Sequence, residues 1–280
     1  MSVRAVESAG QCESPGIAVV IAAFDEERRI GAAVGAAAGI TGVAMVLVVD
    51  DGSRDRTAAL AEAAGAQVLR HGAKRGKGAA METSAKAVRL IEAAAPDTPA
   101  HYVLFLDADL GASAAAAGPL TEPVCSGAAD MAVGLLPATR LRLGGRGTVA
   151  ALAREGIRRA TGWEPEQPLS GQRCLSRAAL AAARPFASGF GAEVGMIIDV
   201  LRRGLTVVEV EVPLEHRPTG TGLRGQRHRA RQFADVARAL AARELGPALA
   251  RRGRRFRTGV RAAAVAARRT ARRRREWTHR

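Results

Sequence analysis

The chain has 280 residues, 48% of them hydrophobic, and carries 42 Lys and Arg against 27 Asp and Glu, a formal net charge of +15. Thirteen Arg and a single acid, Glu276, lie in residues 251–280, so the rest of the chain holds only +3, which argues against a nucleic-acid binder that spreads positive charge over its body. Cys12, Cys125 and Cys174 lie too far apart for a disulfide framework or a zinc knuckle. No apolar run reaches the roughly 18–20 residues that span a bilayer, so the expectation is a soluble protein of a reducing, cytoplasmic compartment.

Residues 1–15 are polar, contain no signal-peptide core, and read as a disordered arm. Ile17–Ala23 is an apolar run of strand length, and Glu26–Ala38 reads as a small-residue helix with acids in its first turn. Val43–Val49 is a second buried strand, running into Asp50-Asp51-Gly52-Ser53. A helix over Arg54–Ala64, capped by Gly65, leads to a short strand at Ala66–Leu69. Gly76–Ala95 is the next helix, and Tyr102–Leu106 is a fourth strand that stops at Asp107-Ala108-Asp109. Beyond it the spacing predicts a helix near 113–126, a strand at Met131–Leu135 and a Gly/Arg loop at 143–148. A helix over Val149–Thr161 and a loop at 162–172 follow. Helices at Ser176–Ala183 and Ala192–Arg203, a strand at Thr206–Val212 and a helix at Gln226–Ala242 complete one domain over residues 16–245. An Arg-rich tail, 246–280, comes after it. The β-α-β alternation with near-continuous apolar strands predicts an α/β fold, a mostly parallel central sheet with helices on both faces.

The polar residues gather where strands end, which is where open α/β sheets bind ligands. Asp107 and Asp109, two apart at a strand terminus, can converge on a hard divalent cation or simply form a turn. Asp51 can accept the imide N–H of uracil or guanine, while Asp50 to Ser53 can equally cap the helix that follows. Lys74-Arg75-Gly76-Lys77-Gly78 opens a helix, so backbone N–H groups and the Lys77 charge can face phosphate. The spacing is not that of a Walker loop, and no Gly-x-Gly-x-x-Gly is present. His216 follows the last strand and is either a cleft residue or a surface one. Glu193 opens a helix, where an acid also suits the dipole, and Arg146 sits among glycines on a loop that can take an anion or be solvated.

In this order, Ile21-Ala22-Ala23-Phe24-Asp25-Glu26-Glu27, Val48 to Ser53, Gly76-Lys77-Gly78 and Asp107-Ala108-Asp109 resemble the family-2 glycosyltransferases of GT-A fold over about residues 17–240. Ala22 and Asp25 stand where that family usually has Pro and Asn. In the second half, Gln167 to Gly171, Pro185 to Gly195 and His216-Arg217 resemble the glucosyl-3-phosphoglycerate synthases, with Pro218 where those have Asn. The resemblance implies Ala23 and Asp51 at the base, Glu26 at the ribose, and Gly76 and Lys77 at the diphosphate, with Asp107 and Leu169 also on the donor. It implies Asp109 and His216, with Asp107 beside them, around Mg²⁺ or Mn²⁺. Arg146 and Thr148 would meet the acceptor, and Glu193 the sugar, with Asp109, Glu193 and Lys77 carrying the catalysis.

The expected activity is therefore metal-dependent transfer of a hexose from a UDP- or GDP-sugar to a small phosphorylated acceptor such as 3-phosphoglycerate, with retention. Two other readings stay open at this level. One is a polyprenyl-phosphate glycosyltransferase at the cytoplasmic membrane face, its Arg-rich tail on anionic lipid or lipid phosphate. The other is a nucleotide- or RNA-binding protein with a basic arm, disfavoured because only Phe256 and Trp277 interrupt the tail's charges as aromatics. A homodimer is left open.

Overall fold

The computed structural model describes residues 15–97, 99–137, 148–214, 226 and 229–244. The arm at 1–14, the Gly/Arg loop at 143–147, His216 and the tail at 246–280 lie outside the described residues.

The first half follows the apolar runs closely. β1 (Ile17–Ala23), β2 (Val43–Asp50), β3 (Gln67–Arg70) and β4 (Tyr102–Asp107) form a parallel block. α1 (Ile30–Ala38), α2 (Thr57–Ala63) and α3 (Lys77–Ala94) connect them. Six of the seven β1 residues are buried because helices cover both sides, which is why the run is continuous rather than alternating. The register pairs Ala23 with Asp50 and Ala22 with Asp107, so the carboxyl ends of β1, β2 and β4 lie level. That alignment creates the site.

The chain then changes style. A 3₁₀ segment (Ala108–Leu120), kinked at Gly111, and α4 (Glu122–Cys125) replace the helix expected near 113–126. Pro119 and the small-residue run Gly111–Gly118 withhold the donor and the side chains that a regular helix there would use. β5 (Met131–Leu135), α5 (Thr148–Thr161), β6 (Arg173–Leu175), α6 (Arg177–Ala183), α7 (Gly191–Arg202) and β7 (Val207–Glu211) follow. Residues 229–244 form a last helix, α8.

The sheet order is β3-β2-β1-β4-β6-β5-β7. β6 runs antiparallel to both neighbours, β4 and β5, so the sheet is mixed rather than wholly parallel. No pattern announces β6, because three residues led by an Arg are too short for a period to show. Its burial on both sides makes it the hinge between the halves of the sheet.

Alternate strand residues divide between two cores. Val20, Leu47, Phe105, Val133 and Leu175 point to α3, α5, α6, α7 and α8, whereas Val19, Ile21, Val48, Leu104 and Ala132 point to α1, α2 and the 3₁₀ segment. Helices therefore cover both faces, as the alternation implied.

Two helix starts differ from expectation. α1 begins at Ile30, not Glu26, and α2 at Thr57, not Arg54. The intervening residues make a mutual clasp instead. Glu26 N–H donates to Thr57 Oγ1 at 2.8 Å, Glu27 N–H to Asp55 Oδ2 at 3.1 Å, and Arg54 N–H to Asp25 Oδ1 at 2.9 Å. Asp25 takes φ +54°, a left-handed conformation that Asp tolerates better than most residues.

Candidate active site

β2 delivers Asp50 and Asp51 into adjoining but different tasks. Asp50 is fully buried; its Oδ1 accepts the Ser53 N–H at 2.9 Å and its Oδ2 lies 3.1 Å from Arg70 Nε. Asp51, 4% exposed, turns towards the loop before α3. Its Oδ1 accepts from Arg75 N–H at 2.8 Å and lies 2.8 Å from His71 Nδ1, while Oδ2 accepts from Gly76 N–H at 2.7 Å. The two acids therefore do not cap α2. Asp50 ties the end of β2 to Ser53 and to Arg70 of β3, and Asp51 ties it to His71 and the 72–76 loop.

That loop is pressed onto Gly52, whose φ is +79° and whose added Cβ would come within 2.8 Å of the Ala73 carbonyl carbon. Lys74 Nζ sits 3.2 Å from the centroid of the Phe24 ring, a cation–π contact that closes the loop over the end of β1. Ala23 contributes its carbonyl, which accepts the Asp51 N–H at 2.8 Å.

The second group forms where β4 ends. Lys77, in the first turn of α3, places Nζ 2.6 Å from Asp107 Oδ1 and 2.8 Å from Glu193 Oε1. Burial pulls the Lys77 ammonium down, but the two carboxylates outweigh it and hold it above the ordinary lysine range. Asp107 is fixed from its other side as well. Gln172 Nε2 donates to its Oδ2 at 2.7 Å, and the Asp107 N–H donates to Gln172 Oε1 at 3.0 Å.

Glu193 is 3% exposed, and its Oε2 has no hydrogen-bond partner among the described residues. A buried carboxylate oxygen in that state is costly unless a ligand hydroxyl or N–H meets it. Lys77, Asp107 and Glu193 thus come together from the two halves of the chain.

Two residues to which the motifs assign no role, Gly171 and Arg173, make this arrangement possible. A Cβ on Gly171 would stand 2.5 Å from Asp107 Oδ2 and 2.7 Å from Lys77 Nζ, so the ion pair lies directly against backbone. Arg173 is fully buried beneath it and donates to the carbonyls of Ser170 (2.8 Å), Glu193 (2.7 Å) and Pro168 (3.1 Å). Burial draws its guanidinium down to about 10, against Glu193, Asp107 and Glu209, which pull it up. A polar residue opening a short strand among apolar ones was the available signal.

Asp109, half-buried, lies two residues past Asp107, and its carbonyl accepts from Arg29 Nη1 at 2.8 Å. Glu26 is half-buried in the clasp. Gly76 gives its N–H to Asp51, so it serves the loop rather than presenting that group to an anion. Leu169 is half-buried against the core, and Thr148 is exposed at the start of α5. Arg146 and His216 lie outside the described residues.

Among the described residues no three His, Cys, Asp or Glu side chains gather as a metal site. Asp107 and Asp109 supply hard oxygen donors at one strand end, the chemistry that suits Mg²⁺ or Mn²⁺. With Asp107 engaged by both Lys77 and Gln172, Asp109 fits the role of direct ligand better. Cys125 and Cys174 are free thiols, and no described helix is long and apolar enough to cross a membrane.

Comparison with known proteins agrees with this geometry. The model of the glycosyl transferase family 2 matches residues 18–165. Glycosyltransferase AglJ of Haloferax volcanii is 33% identical over 189 residues, 64% of this chain and 57% of that protein, so the chain spans a little over half the length of this curated relative. A crystal structure of glucosyl-3-phosphoglycerate synthase from Mycobacterium tuberculosis with phosphoglyceric acid superposes with a TM-score of 0.65. It shares 27% identity and covers 82% of this chain and 80% of that one. The same enzyme with Mn²⁺, UDP and phosphoglyceric acid gives a TM-score of 0.64 at 26% identity, covering 82% and 78%.

Proposed function

The chain belongs to glycosyl transferase family 2, and we propose that it moves a hexose from a UDP-sugar to a small phosphorylated acceptor, with Mg²⁺ or Mn²⁺ bound and with retention of configuration. The observation that carries this reading is the convergence of Lys77, Asp107 and Glu193 at the end of β4, two residues before Asp109. The solved relatives hold UDP, Mn²⁺ or Mg²⁺ and phosphoglyceric acid or glycerol 3-phosphate.

Uracil is favoured over guanine by counting acceptors. A carboxylate offers about four lone-pair positions. On Asp51 two are taken on Oδ1 and one on Oδ2, which leaves one. A single imide N–H fills that position, whereas the paired N–H donors on the guanine edge need both oxygens.

Asp109, together with His216, would hold the cation, which supplies charge neutralisation to the departing diphosphate. Lys77 adds a second cation there, held charged by its two partners. Glu193 keeps Oε2 for a sugar hydroxyl, and its pairing with Lys77 suits a binding role more than that of a base abstracting the acceptor proton. Asp107 fixes Lys77, and the acceptor phosphate would meet Arg146 and Thr148. The one-domain organisation over residues 16–245 is part of the same reading.

The test is nucleoside diphosphate release by the purified chain with Mn²⁺, using UDP- and GDP-glucose, each with and without 3-phosphoglycerate. Release from the UDP-sugar stimulated by 3-phosphoglycerate is expected. Metal-dependent release without stimulation would move the acceptor to lipid phosphate and bring the Arg-rich tail to an anionic membrane surface. Absence of release from every donor would overturn the reading.

A further inference from the structure

His71 belongs to none of the motifs, yet it is 7% exposed and bonded on both ring nitrogens. It stands just past β3, its backbone N–H donating to the Asp50 carbonyl at 2.9 Å. Nδ1 lies 2.8 Å from Asp51 Oδ1 and Nε2 lies 2.9 Å from Thr83 Oγ1 on α3. The carboxylate can only accept, so Nδ1 carries the proton and donates. Thr83 then holds the far edge of the ring, and the imidazole becomes a strut between α3 and Asp51.

The geometry points to His71 as a positioning residue for recognition of the donor base. It fills the last acceptor position on Asp51 Oδ1, so only the remaining position on Oδ2 is left for a base. The two backbone donors, Arg75 and Gly76, take one position on each oxygen, so without the imidazole Oδ1 would keep a second position open. Without the imidazole bond, Oδ1 regains a lone pair, both oxygens can then meet paired N–H donors, and the site loses its preference for a base with one N–H donor. The inference rests on the reading of Asp51 as the base acceptor and adds the residue that gives Asp51 its selectivity.

The experiment measures equilibrium binding of UDP, GDP and inorganic pyrophosphate in the presence of Mn²⁺, for the unsubstituted chain, His71→Asn, His71→Gln and His71→Leu. Asn places an amide N–H near the position of Nδ1, whereas Gln reaches towards that of Nε2. His71→Leu and His71→Gln are expected to weaken UDP binding about tenfold and to narrow the UDP-over-GDP preference, with pyrophosphate unchanged. His71→Asn is expected to stay within about twofold of the unsubstituted chain. In turnover the loss should appear in KM for the UDP-sugar, with kcat kept. Equal loss of UDP and pyrophosphate, an unaltered base preference in both His71→Leu and His71→Gln, or failure of Asn to rescue would each overturn the positioning role. His71→Gln retains a polar side chain and decides the matter if His71→Leu does not fold. Absence of any UDP preference in the unsubstituted chain would instead overturn the reading of Asp51, and this inference with it.

Discussion

The β3-β2-β1-β4 side of the sheet and the β6-β5-β7 side are built by different rules. The first is a parallel block in which each strand end delivers its polar residues to one level, fixed by register. The second contains one reversed strand, β6, and reaches the site through the side chains of Gln172 and Glu193, held on backbone that the buried cation Arg173 ties together. Groups supplied by sheet register are set wherever the sheet forms. Groups supplied by loops need a second layer of bonds to hold them, and that layer surrounds Gly171, Gln172 and Arg173.

The largest effect expected lies on the register side. Asp109→Ala should lower metal-dependent turnover by about 10³-fold or more, because charge on the leaving diphosphate would go uncompensated. Nucleoside diphosphate release and circular dichroism check it together, with the spectrum expected to be unchanged. Turnover near that of the unsubstituted chain would remove Asp109 from the site and leave the parallel block as scaffold alone.

On the loop side the first effect is stability. Arg173→Leu should cost about 3 kcal/mol, since three buried carbonyls lose their donor and no water replaces it. Denaturant unfolding measures this, and a midpoint unchanged from the unsubstituted chain would show that the loop holds itself. Gly171→Ala should separate the two qualities. Its methyl would push the Asp107–Lys77 pair aside at the surface of the backbone, lowering turnover about 10²-fold while changing stability by less than 1 kcal/mol. Loss of fold rather than rate would make Gly171 a packing residue.

The same division decides what could be read from the residues. β1, β2 and β4 bury residues on both faces, so their runs mark strands unambiguously, and β1 and β5 carry the boundaries expected of them. Asp51, Lys77, Asp107 and Glu193 stand out because each follows a strand or opens a helix. Their mutual distances do not, since the Lys77–Glu193 contact joins residues 116 positions apart. His71 and Arg173 lie outside the motifs for a physical reason, and Gly171, though it ends the Gln167 to Gly171 motif, shows no role there. Each acts by touching another site residue, and such contacts leave no local period or spacing. The helix starts at Ile30 and Thr57 escaped because side chains from one loop satisfy the backbone of the other, a bargain that neither segment displays alone.

The smallest effect tests the seam between the two sides. Arg184, just after α6, donates through Nη2 to Glu82 Oε1 on α3 at 2.6 Å, beside the place where residues 187–188 lie against Gly78. The Arg184 hydrogen bond holds the Glu82 carboxyl below its ordinary value of 4.5, outweighing partial burial, which raises it. A carboxyl lowered on folding stabilises the fold above its unfolded value, and the contribution is lost as pH falls through the lowered folded value. Both side chains keep partial solvent contact, so the pair is worth about 0.5 kcal/mol. Glu82→Gln should therefore be less stable than the unsubstituted chain by about that amount at pH 7. The difference should shrink to nothing on acidification below the ordinary carboxyl range, and thermal unfolding of both proteins across pH would follow it. A gap that persists unchanged into acid would mean that packing, not charge, holds α3 to the loop side. A gap that closes would make this ion pair the pH-sensitive link through which the register-built half and the loop-built half keep Lys77 and Glu193 in contact.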